Sequence, residues 1–184
     1  MADLARYLPL SQREPSDSTE VSSDRRTQIS ELVAEAARLL EHAPNGSAAE
    51  LAETFVREAK LGKGIRDSSD VSSAKDVAEC AVQVREGPKR RVRHLADALR
   101  ALLVLAAAVD MTPHVPVLTS GAVALFASGR APLERRAAIS GHTVSATDAE
   151  WSFGAGPVIS ASALHIAAFL LGASDVPPRR PVSP

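Results

Sequence analysis

Four cations stand close together in the middle of the chain, at Lys89, Arg90, Arg91 and Arg93. Pro88, which directly precedes them, suits the first turn of a helix, so the cations are predicted to lie at a helix start. Positive charge there opposes the helix dipole, whereas the exposed N–H groups and guanidiniums together favour a carboxylate or phosphate. Arg90, Arg91 and Arg93 are therefore candidate anion-binding residues. The alternative is a solvated charged turn, and without interleaved aromatic residues a nucleic-acid surface is disfavoured.

Other reactive residue types have simpler explanations. Cys80 lies on the apolar face of a predicted helix, where a thiol is more often a packed small hydrophobe than a nucleophile. His142, Ser140 and Ser145 have no acid partner at a recognisable spacing, so a hydrolase triad is not supported. Gly154 and Gly156 are not followed by the Lys-Ser/Thr pair of a phosphate loop.

Composition favours helices. Hydrophobic residues make up 45% of the 184 residues and aromatic residues only 3%, so the core must be built from alanine and branched aliphatic side chains. The formal net charge of -1 excludes a global attraction to nucleic acid or to an anionic membrane. A single cysteine excludes an internal disulfide framework and indicates a reducing compartment. No secretory signal or membrane-spanning run is found, and the predicted location is the cytoplasm.

Hydrophobic spacing of three and four residues predicts four helices in residues 25–109, after a disordered leader at residues 1–24. The first carries Ile29 to Leu40, the second begins with a capping box at Ser47 and Glu50, and the third is capped by Ser73 with Asp76. The fourth is predicted from Pro88 to about Val109, and a fifth follows from Val117 and ends at Gly129.

The hydrophobic period then changes from helical spacing to alternation. Residues 138–147 are predicted as a strand, Asp148 as part of a turn and residues 150–153 as the returning strand, with Thr147, Trp151 and Phe153 on the buried side. The Asp148 carboxylate is expected to bond the backbone of its own turn. A last helix is expected over residues 159–171. The predicted fold class is α+β, mainly α: a four-helix bundle-like region at 25–109, a small C-terminal α/β module at 110–172 and a loose tail at 173–184.

The module resembles the C-terminal portion of the mycothiol-dependent maleylpyruvate isomerase family of actinobacterial proteins. The resemblance is clearest over residues 129–172. The segments that carry it are Arg135-Arg136, Gly141-His142-Thr143-Val144, residues 146–152, Gly154-Ala155-Gly156-Pro157 and the closing apolar helix.

That resemblance implies a DinB-like N-terminal bundle that binds a divalent metal such as zinc. It also implies mycothiol as a second cofactor. His94 and Asp97 resemble the family's His-x-x-Asp element, which makes them the candidate metal ligands. Arg90, one turn before His94, departs from the pattern because a guanidinium cannot ligate a metal.

Two functions follow. If the chain is active, the resemblance implies a thiol-dependent isomerase or transferase acting on a small-molecule thiol and an organic acid, with the metal stabilising the thiolate. The alternative is a non-catalytic binding or regulatory scaffold with a degenerate metal site, which uses a groove between helices for a partner. No nucleic-acid or membrane partner is expected in either case. The oligomeric state, the substrate and the catalytic residues cannot be read from the sequence.

Overall fold

The computed structural model describes residues 24–44, 46–61, 65 and 68–180. All but the last residue of the leader predicted at residues 1–24 lies outside the described residues, as do residues 181–184 of the predicted tail. Gly62 and Gly64, which the sequence suggests as the end of the second helix, lie outside them as well.

The described residues confirm a mainly helical α+β fold with one small sheet. Its helices are α1 (Arg26–Leu40), α2 (Ala48–Ala59), α3 (Ala74–Glu86), α4 (Val92–Ala108), α5 (Val117–Ser128), α6 (Leu133–Ile139) and α7 (Ala163–Leu171). Its strands are β1 (Thr143–Ala146), β2 (Ser152–Gly154) and β3 (Val158–Ala161). A short 3-10 turn, Ser68–Asp70, precedes α3.

Helices α1 to α4 bury one apolar stripe each, as their spacing predicts. Helix α1 packs against α3 and α4, and α2 packs against α4. The largest side chains in this core are Phe55 of α2 and the leucines of α1 and α4. No described helix has both the length and the unbroken apolar character needed to cross a bilayer.

The two predicted helix caps have different outcomes. The Ser73 hydroxyl accepts a hydrogen bond from the Asp76 backbone N–H at 3.3 Å, which confirms the cap of α3. Ser47 forms no side-chain cap on α2, because its hydroxyl donates to the Pro44 carbonyl at 2.8 Å instead. The local turn has taken the hydroxyl that the capping box needs.

Helix α4 begins at Val92, four residues later than Pro88. The residues before it are held extended by the start of α1: the Asp24 carboxylate accepts from the Arg90 N–H at 3.2 Å, and the Arg25 N–H donates to the Arg90 carbonyl at 2.8 Å. Backbone groups bonded to another segment are not available for a helical turn. The prediction of a helix from Pro88 was therefore wrong by one turn.

The predicted hairpin is present, but it is shorter than the alternation suggested. Strands β1 and β2 pair antiparallel, with Val144 opposite Phe153. Ile139 instead ends α6, a helix that was not predicted from the sequence. Thr147 is exposed, so its predicted burial was wrong, while Trp151 and Phe153 are half-buried.

The third strand was also missed. Residues 158–161 pair in parallel with β1, so the sheet has the order β2-β1-β3, whereas residues 159–161 were predicted as the beginning of the last helix. Helix α7 begins only after Ser162, whose hydroxyl accepts from the His165 N–H at 3.3 Å. A short apolar run such as Val158-Ile159 fits a strand or a helix equally well, and here the open edge of β1 decides.

Two glycines permit the tight crossing from β2 to β3 over the start of β1. Gly154 and Gly156 have φ of +89° and +121°, and a Cβ on either would overlap a backbone carbonyl, that of His142 or of Gly141. Only glycine tolerates both conditions. The Thr143 N–H donates to the Pro157 carbonyl at 3.0 Å and closes the crossing.

Helix α5 joins the two hydrophobic cores. Val123 packs into the core of α1 to α4, while Ala124 and Ala127 pack into the core between the sheet and α7. Residues 173–180, predicted as a loose tail, lie against the module: Arg179 and Ser160 exchange two backbone hydrogen bonds of 2.7 and 3.1 Å at the outer edge of β3.

Candidate functional site

The basic cluster of Lys89, Arg90, Arg91 and Arg93 lies at the connection between α3 and α4, and only Arg90 is buried. Within the residues that the structure describes, none of the four cations forms an ion pair. Asp24, the nearest carboxylate to the Arg90 backbone, binds Arg26 through a contact of 2.8 Å. In the described part of the chain, this end of α4 therefore carries positive charge that no carboxylate pairs with.

The Arg90 guanidinium is enclosed and lacks an acceptor. The residue is only 7% exposed, and its Nε and Nη2 atoms have no hydrogen-bond partner among the described residues. Burial lowers the pKa of Arg90 from its ordinary value. Since an arginine keeps its proton in proteins, the group is a largely buried charge that has no counterion among the described residues.

His94 lies in the first turn of α4 and caps it. Its Nδ1 lies 3.2 Å from the Arg91 N–H, and its Nε2 lies 3.2 Å from the Arg93 Nε. A neutral imidazole has one acceptor nitrogen, so only one of these contacts is a hydrogen bond. We assign it to the Arg91 backbone, which is fixed, whereas the exposed Arg93 side chain can turn away.

Burial lowers the pKa of His94, and the neighbouring charges of Arg93, Arg90 and Arg91 lower it further against the opposing effect of Asp97. The ring is therefore neutral at pH 7. Asp97, the second predicted ligand, lies 3.4 Å from the Lys60 Nζ. No group of three or more His, Cys, Asp or Glu side chains able to hold a metal ion is found in the described ranges. Metal binding by His94 and Asp97 stays a prediction.

Two other reactive residues from the sequence have structural roles. Cys80 is buried within the core of α1 to α4. The His142 ring bonds the Ser140 carbonyl two residues away at 3.0 Å.

A groove between α5 and β2 is a feature that was not predicted from the sequence. It encloses about 480 Å³ and is lined mainly by apolar side chains: Val117, Leu118, Gly121, Ala122, Leu125, Glu150, Trp151, Ser152 and Phe153. Leu118 is 82% exposed and Leu125 is 61% exposed. These positions are separated by seven residues, so the two leucines lie on one helical stripe.

Helix α5 contains no charged residue, which is the signal in the sequence that could have indicated this groove. A helix that is apolar on all sides is normally covered on all sides. The buried side of α5 faces the two cores, and its outward leucines lie beside the sheet without a cover in the described part of the chain.

Strand β2 borders the groove and is the edge of the sheet. The Ala146 N–H donates to the Trp151 carbonyl at 3.2 Å. Two residues further along each strand, Val144 is opposite Phe153. Because hydrogen-bonded pairs alternate in an antiparallel ladder, the N–H and C=O groups of Ser152 and Gly154 point away from β1. The edge beside the groove therefore offers unpaired backbone donors and acceptors.

Trp151 forms the floor of the groove. Its ring stacks on Phe153 with 6.1 Å between centroids and 13° between planes, and its Nε1 is enclosed without a hydrogen-bond partner among the described residues. The indole lies against Gly121, where a Cβ would be 3.1 Å from Cδ1. Glycine at this position lets the indole approach the helix.

Comparison of the chain with known family models, with functionally characterised proteins and with solved structures finds no match. The family that the module resembles therefore remains a prediction from its motifs.

Proposed function

We propose that this protein is a non-catalytic binding module whose groove between α5 and β2 docks a segment of a partner polypeptide. The observation that carries the proposal is the exposed leucine stripe of an uncharged helix, next to an unpaired sheet edge. Exposed apolar surface of this kind marks interaction sites in soluble proteins.

The chemistry of the groove favours an extended segment. An added strand would pair its backbone with Ser152 and Gly154 and place every second side chain over Leu118, Leu125 and Trp151. A partner segment with apolar residues at alternate positions satisfies both requirements. One acidic residue, Glu150, lies at the rim and favours a basic residue at one end of the segment.

A displayed library of 12-residue peptides, selected against the full-length protein, tests the proposal. Trp151 is the only tryptophan, so its fluorescence reports occupancy of the groove directly. Selected peptides should show alternating apolar residues and should bind at least tenfold more weakly to Leu118→Asp. Val82→Asp is the matched control, because Val82 is 55% exposed on α3 and does not line the groove.

Peptides methylated at single backbone nitrogens test the added strand. Methylation at every second position should abolish binding, since only alternate N–H groups face Ser152 and Gly154. Equal sensitivity at all positions, or equal loss in Leu118→Asp and Val82→Asp, would contradict the proposal. A concentration-dependent dimer that Leu118→Asp abolishes would assign the groove to a second copy of the chain instead.

A thiol-dependent isomerase or transferase is the second candidate, and it is supported by the motifs of residues 129–172. Under this proposal His94 and Asp97 would hold zinc, and the metal would stabilise the thiolate of mycothiol for reaction with an unsaturated acid. His94 would have to use its Nε2, because its Nδ1 accepts from the Arg91 N–H. Stoichiometric zinc that is lost in His94→Ala would support it, and zinc retained by that variant would contradict it.

The proposed location is the cytoplasm, and the support is that Cys80 is the only cysteine of the sequence, so no internal disulfide can form. A partner polypeptide is preferred to nucleic acid, because no aromatic residue interleaves with the cations of residues 89–93.

A further inference from the structure

The Arg90 side chain presents two unpaired donors on one edge. Nε and Nη2 are the enclosed atoms without a partner in the described residues, and their N–H bonds lie parallel on the side of the guanidinium away from the Cδ atom. This edge matches the two oxygens of a carboxylate or a phosphate, which it can bind in a bidentate manner. The unpaired atoms thus define both the kind of ligand and its orientation.

The position of Arg90 is fixed by its backbone. Its N–H is bonded to Asp24 and its carbonyl to Arg25, so the residue is attached to the start of α1 on both sides. The Asp24 carboxylate accepts from this N–H, from the Arg26 N–H at 3.1 Å and from the Arg26 Nε at 2.8 Å. These bonds fix the point from which the Arg90 side chain extends.

The surroundings add positive potential and backbone donors. Lys89, Arg91 and Arg93 are exposed cations within three residues of Arg90. Helix α4 has 17 residues, and in the described part of the chain no acceptor receives the N–H groups of Val92 and Arg93 in its first turn. The His94 Nδ1 already accepts from the Arg91 N–H, so that N–H is not available to an anion.

We propose that the start of α4 is a binding site for a small oxyanion, a carboxylate or a phosphate, held by the Nε and Nη2 edge of the Arg90 guanidinium. Arg91 and Arg93 attract the anion, and Arg90 holds it. This site is separate in sequence from the groove of α5 and β2, so each stands without the other. Because both donor atoms are enclosed, the anion can reach them only through a local opening around Arg90.

Equilibrium titrations of the full-length protein with inorganic phosphate and with acetate, at constant ionic strength set with sodium chloride, test this site. The readouts are the thermal unfolding midpoint and the NMR resonance of the Arg90 Nε–H. A saturable rise of the midpoint and a shift of that resonance are expected in the wild type. A response to phosphate alone assigns a phosphoryl ligand, and a response to acetate assigns a carboxylate ligand.

Three variants decide whether Arg90 is responsible. Arg90→Lys keeps the charge without the paired donors, so the apparent dissociation constant should rise at least tenfold, and Arg90→Met should not respond. Lys89→Gln, an exposed cation next to Arg90, should change the dissociation constant less than threefold. No saturable response in the wild type, or an unchanged response in Arg90→Lys, would overturn the proposal. If Arg90→Met does not fold, the shift of the Arg90 Nε–H resonance in the wild type shows whether the anion contacts Arg90.

Discussion

The carboxylate of Asp148 accepts a hydrogen bond from the backbone N–H of Ala163 at 2.6 Å, and this bond joins the turn of the hairpin to the first residue of α7. From the sequence, Asp148 was expected to bond its own turn. Its oxygen instead satisfies a donor at the start of a helix, where a negative charge is also favoured by the helix dipole.

Replacing Asp148 by alanine should lower the free energy of unfolding by about 0.5 to 2 kcal/mol, the range observed for loss of a helix cap. Urea denaturation measures this. Glu150→Ala, two residues further on and exposed, is the control and should stay within about 0.5 kcal/mol of the wild type. Equal effects of the two substitutions would show that the bond to Ala163 contributes nothing.

Arg135 attaches the end of α7 to α6. Its Nη1 donates to the carbonyls of Phe169 and Ser174 at 2.5 and 2.6 Å, and its Nη2 pairs with Asp175 at 2.6 Å. Arg135→Ala should cost about 1.5 to 3 kcal/mol, because two carbonyls lose a charged donor. Arg136→Ala is the neighbouring exposed control. A calorimetric midpoint that does not distinguish the two variants would contradict this role.

Glu35 should make stability depend on pH. Its carboxylate pairs with Arg38 at 2.7 Å and accepts from the His114 N–H at 2.7 Å, and the Arg38 bond is the main cause of its lowered pKa. A carboxyl whose pKa is lowered on folding stabilises the protein above its unfolded pKa. That contribution is lost as the pH falls through the folded value.

The free energy of unfolding of the wild type should therefore decrease as the pH is lowered from about 5, a value just above the ordinary pKa of a glutamate. The difference from Glu35→Gln should shrink over the same interval. Glu31→Gln, an exposed position on α1, serves as the control. A constant difference between wild type and Glu35→Gln from pH 7 to pH 3 would show that Glu35 is not responsible.

Gly121 sets the position of the indole of Trp151. A Cβ at this position would lie only 3.1 Å from the ring, and a valine would add methyl groups beyond it, so Gly121→Val should cost about 1 to 3 kcal/mol. The emission of Trp151 should shift as the ring leaves α5. Gly129→Val, the matched change at the end of the same helix, should leave the emission unchanged, because a Cβ at Gly129 would meet no atom within 4 Å.

The helical part of the fold is predicted well because its signals are local. The three- and four-residue spacing of Ile29, Leu32 and Val33 defines the buried face of α1 whatever it packs against. The cap at Ser73 is confirmed for the same reason, since donor and acceptor are three residues apart.

Two of the errors occur where distant residues compete for the same groups. The start of α4 is displaced because Asp24 and Arg25 take the backbone of Arg90, and β3 replaces the first turn of a helix because β1 offers an open edge. In both cases the competing segment is too far away in the sequence to be revealed by the hydrophobic spacing of neighbouring residues.

The candidate sites show the same division. The sequence places four cations together at residues 89–93, but it cannot tell that Arg90 alone is buried without an acceptor. The sequence also shows that α5 has no charged residue, but it does not show which face of that helix stays outside the two hydrophobic cores.

By itself, the sequence determined the mainly helical class, the helices α1 to α5 and the hairpin, because hydrophobic periodicity and caps act between neighbouring residues. Only the tertiary structure decided the third strand, the burial of Arg90 and the groove beside β2. Each of these depends on which segments of the chain meet, and on which donors and acceptors are left unpaired when they do.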